Sequence, residues 1–527
     1  MNNNSNQKIY NNYTKYLLLI VIIIMSAAAV RLSAIGVSGL WLDEIYGASY
    51  INLNPLKLIV AVLRFDVQPP LYYLQLKLWG IPSHSDAWLL LNSITWSLGT
   101  IVACTYGAYR ISGIKAALLA AAFSAFLGSE IYYSYEVRMY SMLSCLAIIG
   151  WIRSEIWLQK PSNKNTFWLV TITAMLAATH SAAVVAISSI LLYIVISLVL
   201  RDCLKSALIT WRIIVPTGIF LLPWLINASL RSVGQTTYPS VNAVVDTLSG
   251  WILGYGAIVY PEALRLILVG IIAISAILGL VYGDRRTKLI LISFVIWPIL
   301  FASAISFIIR PIWIPRLFAF CAPFYSLSLT FMLTKSVFSF NYSHTKRRLT
   351  TTVITLTCVL LMILGLLQNR TPWKMQYRSA ARYIAANNVH KLPIYIPNNK
   401  TFWGIARYLD GPNWGSILKI QDPKRPDHSV IWRKIYHQLG YKWLQILGLV
   451  PQTRHLDTPN GTMWIGYSPL PKSLAKRGMW LVGNNSLLEN VNNCPMYQQM
   501  YIKRYRGVVI VRCSGQDSKY VTSTHGS

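Results

Sequence analysis

The sequence predicts an α-helical polytopic membrane protein of about eleven spans, followed by a C-terminal extracytoplasmic α/β domain. Three observations lead there. Of 527 residues, 54% are hydrophobic and only 12% are charged, about half the roughly 25% charged share of a soluble domain. So few charges cannot cover a water-facing surface of this size, which excludes a soluble globular enzyme and a disordered chain alike. Apolar runs recur near the roughly 20-residue length that crosses a bilayer, and after Leu367 they stop as the composition turns polar and basic.

The spans fall near 16–36, 86–109, 114–133, 139–158, 166–180, 181–200, 211–230, 263–282, 289–309, 317–335 and 349–367. The first is too long for a cleavable leader, and no small-residue cleavage site precedes the Trp41 region. Residues 166–200 are too long for one ordinary helix and short for two. Thr179-His180-Ser181 is the only polar break there, so this stretch reads as a hairpin of short helices. Lys and Arg gather in alternate loops: Lys8 and Lys15; Arg110 and Lys115; Lys160 and Lys164; Arg201 and Lys205; Arg285, Arg286 and Lys288; Lys346, Arg347 and Arg348. Those loops are expected on the cytoplasmic side. An odd span count then puts 371–527 outside, along with the loops 37–85, 134–138, 232–262 and 310–316. These features describe a multi-pass membrane protein.

Residues 1–369 form the predicted membrane domain, with 37–85 as its first external loop; residues 370–527 form the basic external domain. The latter holds 22 Lys and Arg against six acids. Short strands are predicted at 392–396, 479–482 and 507–511, and helices at 378–386 and 403–409. The surplus charge would draw this domain to anionic head groups; an ordinary basic solvated surface explains it as well. The net charge of the chain, +31, in so apolar a sequence reads as membrane topology and anionic-lipid contact, with no nucleic acid implied. Cys494 and Cys513 lie in the external domain and suggest a disulfide.

Acids are scarce in the membrane domain. Asp43, Glu44, Asp66, Asp86, Glu130, Glu136, Asp246 and Glu262 fall on the external face, against Glu155, Asp202 and Asp284 at or near the cytoplasmic one. Ionisable groups are expensive beside hydrocarbon, so a one-sided cluster points to function. Three patterns sharpen it. In Trp41-Leu42-Asp43-Glu44, an interfacial Trp is an ordinary anchor, while one carboxylate could serve as general base to an incoming hydroxyl. In Asp66-Val67-Gln68-Pro69-Pro70-Leu71-Tyr72-Tyr73, the prolines force a defined turn; loop shaping explains them but not Asp66. The turn Glu130 to Tyr140 packs two acids, Arg138 and four tyrosines into eleven residues. Arginine suits phosphate through its planar fork and tyrosine faces suit sugar rings, whereas the plainer alternative is a Glu136–Arg138 pair in an aromatic belt. His180 caps a short helix at the same face, and Arg316 lies just outside span ten, where a snorkelling arginine is the bland alternative.

Together these motifs resemble the GT-C class of membrane glycosyltransferases, in particular bacterial relatives of protein O-mannosyltransferases and the aminoarabinose transferase of lipid A. Arg31 ends the first span, and Trp41-Leu42-Asp43-Glu44 follows. Asp66 to Tyr73 is similar to the family's Asp-x-x-His-Pro-Pro-Leu-Tyr-Tyr, with Gln68 in place of His. Glu136 to Ser141 matches a Glu-x-Arg-Met-Tyr-Ser turn, Thr179-His180 a Thr-His, and Pro315-Arg316 a late Pro-Arg. The resemblance runs in order over 16–330 and implies a multi-pass protein of the bacterial inner (plasma) membrane. It implies transfer of a sugar from a polyprenyl-phosphate carrier to a hydroxyl of an envelope lipid, glycan or protein, with inversion. Asp43 and Glu44 would be catalytic, Asp43 as base. Asp66, Gln68, Tyr72, Glu136, Arg138, Tyr140, His180 and Arg316 would bind substrate, the two arginines at the leaving phosphate. Glu44, Asp66 and Glu136 would orient the acceptor or, with Asp43, hold a divalent cation, which such enzymes use in some cases and not in others.

The rival classes are a lipid or solute transporter, a ligase or polymerase using pyrophosphate-linked donors, and a non-catalytic scaffold. Transporters place their charges near the midplane, often in repeated halves; here the acids gather at one face and no repeat is visible. The ligases place their long external loop late in the chain, whereas this sequence carries its acids in the first.

Overall fold

A backbone in hydrocarbon must satisfy its own N–H and C=O groups, so the apolar runs fold as helices. The computed structural model describes residues 2–200, 210–229, 236–255, 260–338, 363, 374–396, 399–409, 455–458, 460–465, 478–483, 499–506 and 508–514. Two compact units divide the chain. The first comprises Met1–Ile35, Phe65–Gln75 and Ala87–Thr371; the second comprises Gly36–Arg64, Leu76–Asp86 and Pro372–Ser527.

In the first unit, helices lie over each predicted span from 16–36 to 317–335, while 349–367 is outside the described residues. Five helical stretches among the described residues are long and apolar enough to cross a bilayer: Tyr13–Leu32, Asp86–Phe126, Tyr140–Gln159, Glu262–Tyr282 and Arg285–Ile308. The predicted hairpin appears as Asn163–Thr179 and Ala183–Val199. Gly113, at φ +80°, breaks the Asp86–Phe126 run between two predicted spans, in a conformation that glycine adopts without steric cost. A π turn at Leu291–Ile296 precedes Trp297–Ile308. Pro298 has no N–H to offer and its ring crowds the preceding carbonyls, which favours such a widening.

The segment 232–262, expected as a loop, contains the helix Val241–Leu253. The Ser240 hydroxyl caps it by accepting the Ala243 N–H at 3.2 Å, and Val245, Trp251 and Leu253 are buried. A Cβ at Gly128 would meet the Ile252 carbonyl oxygen at 1.9 Å, so only glycine lets the helix Gly128–Ser134 come this close to it. Small side chains also open the core where Ala27, Val30, Ala34, Ile101, Ala125 and Ile131 pack. Arg31 is fully buried there. Its Nε donates to Ser97 Oγ at 2.9 Å, and its NH1 donates to the carbonyls of Ala27 and Ala125 at 3.2 and 2.9 Å. Four more charges are in pairs among the described residues: Asp246 with Arg265, and Glu155 with Arg286, the latter carboxylate also accepting from Tyr193.

The second unit holds the short helix Leu42–Ser49, the helix Tyr377–Asn387, the helix Asn399–Leu409 and a six-stranded sheet. Tyr377, Ala380, Ala381 and Ile384 are the buried face of Tyr377–Asn387, at the spacing of one helical stripe. The strands are β1 (Ile394–Ile396), β2 (His455–Thr458), β3 (Gly461–Ile465), β4 (Gly478–Gly483), β5 (Gln499–Tyr505) and β6 (Val508–Ser514), in spatial order β2-β3-β1-β4-β6-β5. β1 runs parallel to β3 and β4, with Ile394 facing Met463 and Trp480; the other pairings are antiparallel. The predicted strands correspond to β1, β4 and β6. Leu481, Val509 and Val511 form a core on one sheet face with Tyr395, Met479 and Ile502. Cys494 is outside the described residues, and the expected pairing with Cys513 falls there too.

Candidate active site

In the first unit three turns come together. Pro69 and Pro70 hold the chain out of a helix until Leu71, where the helix Leu71–Trp79 begins. Within that turn, Asp66 Oδ1 accepts the Gln68 N–H at 3.0 Å, and the Tyr73 phenol donates to Asp66 Oδ2 at 2.5 Å. The Arg138 guanidinium donates to the same phenol oxygen at 3.4 Å, completing the chain Asp66–Tyr73–Arg138. Tyr72 is buried with its ring edge-on to Tyr73.

The second turn links Gly128–Ser134 to Tyr140–Gln159. Tyr132 donates to Glu136 Oε1 at 3.1 Å, and the Arg138 N–H donates to the Glu136 carbonyl at 2.8 Å, fixing the turn that carries both charges. The third turn joins the two hairpin helices. The Gln68 side-chain oxygen accepts both the N–H and the hydroxyl of Ser181, at 3.0 and 3.1 Å. Gln68 therefore latches the Asp66 turn to the His180 turn.

His180 lies between the hairpin helices, beyond the end of both, with its ring 5.5 Å from that of Tyr140. Its Nδ1 accepts the Ala182 N–H at 2.7 Å, so the neutral ring carries its proton on Nε2. With Nδ1 acting as an acceptor the ring is neutral, and the positive charges of Arg138 and Arg316 both project their field onto this turn. Arg316 sits on the short 3₁₀ turn Pro315–Phe318. Asp66, Gln68, Tyr72, Glu136, Arg138, Tyr140, His180 and Arg316 all belong to this unit.

The second unit carries Asp43 and Glu44 in the first turn of Leu42–Ser49, where two acids favour the positive end of the helix. Their surroundings differ. Glu44 is fully buried: Oε2 accepts the Trp41 N–H at 2.8 Å, and Oε1 is paired with the Lys374 ammonium at 2.6 Å. Asp43 is half-buried, and its negative charge acts on the Tyr377 phenol, which burial first and Asp43 second push up to about 12. Asp86 anchors a second ionic cluster. Arg407 donates to its Oδ1 at 2.6 and 3.1 Å, the Tyr408 phenol donates to Oδ2 at 2.8 Å, and Arg378 lies 4.0 Å away. Burial and then Asp86 raise the Tyr408 pKa. Lys374, Arg407 and Tyr408 were invisible as individuals in the sequence; the excess of cations in 370–527 was the only signal of the first two.

Among the described residues, no three His, Cys, Asp or Glu side chains converge to hold a metal ion. Of the four residues suggested for one, Asp43 and Glu44 belong to the second unit and Asp66 and Glu136 to the first.

The fold is that of the GT-C class of membrane glycosyltransferases. The structure of ArnT from Cupriavidus metallidurans bound to undecaprenyl phosphate is similar to this chain with a TM-score of 0.56 and 12% identity, over 94% of this chain and 97% of that one. The same protein in the apo state gives a TM-score of 0.55 and 13% identity, over 95% and 98%. The Archaeoglobus fulgidus oligosaccharyltransferase gives 0.48 and 11%, over 73% and 61%. No protein-family model and no curated sequence matches the chain.

Proposed function

We propose that this protein is a membrane glycosyltransferase that moves a sugar from a polyprenyl-phosphate carrier to a hydroxyl acceptor at the external membrane face. The observation that carries the reading is the focus of Arg138 and Arg316 on the His180 turn, next to the Asp66–Tyr73–Arg138 chain. Two cations whose fields reach one inter-helix turn suit a phosphate. The likeness to ArnT bound to undecaprenyl phosphate, along nearly the whole of both chains, supports a lipid carrier for it. Such a carrier keeps its isoprenoid in the bilayer and needs only its phosphosugar to reach the charged turns.

In this reading the acceptor oxygen forms a bond to the anomeric carbon as the bond from that carbon to the phosphate oxygen breaks. The phosphate leaves with the electron pair, and the acceptor proton passes to Asp43. Direct displacement inverts the anomeric centre. Arg138 and Arg316 stabilise the charge growing on the phosphate, usually the largest single catalytic contribution. Neutral His180 donates through Nε2–H and does not act as a base. Tyr72 and Tyr140 shape the sugar pocket, Asp66 and Glu136 orient the two turns, and residues 371–527 stand outside the membrane.

The test is transfer by purified full-length protein from a panel of labelled polyprenyl-phosphate sugars, with envelope extract as acceptor. Transfer that collapses in Asp43→Asn and in Arg138→Met supports the class and both roles. Transfer surviving Asp43→Asn moves the base elsewhere, and no transfer from any donor sinks the reading.

A further inference from the structure

We propose that Lys374 is a positioning residue that sets the bearing of Asp43 by holding Glu44, an inference that rests on Asp43 being the base. The helix Leu42–Ser49 has eight residues, too few to persist without tertiary support. Its support comes from the C-terminal segment of the same unit. Glu44 Oε1 meets Lys374 at 2.6 Å with both side chains buried. The ring of Tyr46 lies 5.0 Å from that of Trp403. Ahead of the helix, the Leu40 N–H donates to the Tyr408 phenol at 2.7 Å. The Glu44 side chain also closes back on the Trp41 N–H, so one carboxylate fixes both the helix start and its outside partner.

Neighbouring residues on a helix point about 100° apart. Pinning Glu44 inward therefore determines where Asp43 points, and Asp43 stays half-buried. Lys374 and Tyr377 meet these acids in step: Lys374 pairs with Glu44, and Tyr377 three residues later feels the charge of Asp43. Gly404 backs this arrangement, since a Cβ there would meet the Tyr377 ring at 2.5 Å. The buried pair is a poor source of stability, because desolvating two charges offsets most of their attraction. What it supplies is orientation: an apolar pair would fill the same space without the directional bonds that fix the rotation of the helix about its axis.

The test compares Lys374→Met, Lys374→Arg and the double variant Glu44→Gln/Lys374→Met in full-length protein, reading melting midpoint, donor KM and kcat, with Asp43→Asn alongside. The double variant leaves no uncompensated buried charge, so it folds even where the single variant does not. The expected result is a folded double variant whose kcat is at least tenfold lower while donor KM stays within twofold, with Lys374→Arg recovering most of the loss. A double variant with the wild-type kcat overturns the proposal, as does a loss confined to the melting midpoint. If Asp43→Asn keeps full activity, the base assignment fails and the proposal with it; if Asp43→Asn is inactive and the double variant active, the proposal alone fails.

Discussion

Replacing Asp86 by Asn should destabilise the second unit by an amount the local geometry sets. The carboxylate receives two hydrogen bonds from Arg407 and one from Tyr408, and the Arg407 side chain is only 5% exposed. Removing one partner of a buried ion pair costs about 3–5 kcal/mol, chiefly because the other charge remains buried without compensation. Asp86 itself keeps 15% of its exposure, so water already screens part of the pair, and the lower end of that range, about 3 kcal/mol, applies. For a unit of about 200 residues, each kcal/mol moves the midpoint by roughly 2–4 °C. The unit should therefore melt about 6–12 °C lower. Tryptophan fluorescence during heating in detergent measures this. A double variant Asp86→Asn/Arg407→Met should lose less than the sum of its parts, since no orphaned charge remains. A midpoint lowered by less than about 2 °C, or strict additivity in the double variant, would refute the argument.

Three further predictions follow from the same geometry. Arg138→Met should lower kcat by about 10²–10³-fold, and Arg138→Lys should recover only part of it because an ammonium lacks the planar fork; turnover within threefold of wild type would remove Arg138 from the phosphate site. Gln68→His should make kcat fall as pH drops through about 6.5, because a protonated imidazole cannot accept from Ser181 as the Gln68 oxygen does; a ratio of variant to wild-type kcat that stays flat from pH 5.5 to 7.5 would discard the latch. Burial first, then the charges of Arg407 and Lys77, lower the pKa of His84. The unfolded chain then takes the proton first, so the second unit should lose stability as pH falls below about 6.5, and His84→Asn should flatten that slope; equal slopes in melts between pH 5 and 8 would contradict this.

The membrane helices were legible because a span-length apolar run has few other fates. The helix Val241–Leu253 was not, since thirteen residues fall short of a span and its apolar side chains resemble an interfacial loop. In the sheet, strands β1, β4 and β6 could be read from short apolar runs. Their order could not: β1 takes parallel partners at Met463 and Trp480, far along the chain, and no local signal announces such pairing. Around the candidate site, the motif residues Asp66, Gln68, Arg138 and His180 were visible, and the links between them are formed by residues inside or beside those motifs, Tyr73 and Ser181. Lys374 is 330 positions from Glu44, and a lysine in a basic segment gives no sign of which acid it meets.

The basic excess of 370–527 pointed outward, toward anionic head groups. Part of it instead answers acids in and just after the first loop, within the same unit: Lys374 meets Glu44, while Arg407 and Arg378 meet Asp86. This bears on which carboxylate can take a proton. A carboxylate in a buried ion pair is a poor base, because protonating it strands the charge of its partner in a medium that cannot solvate it. Glu44, buried against Lys374, is in that position. Asp43, half-buried one residue before Glu44, has its negative charge set beside the Tyr377 phenol, which burial keeps protonated. Adjacency in the sequence made Asp43 and Glu44 equivalent candidates; their surroundings divide the work, Glu44 holding the helix and Asp43 serving the proposed reaction.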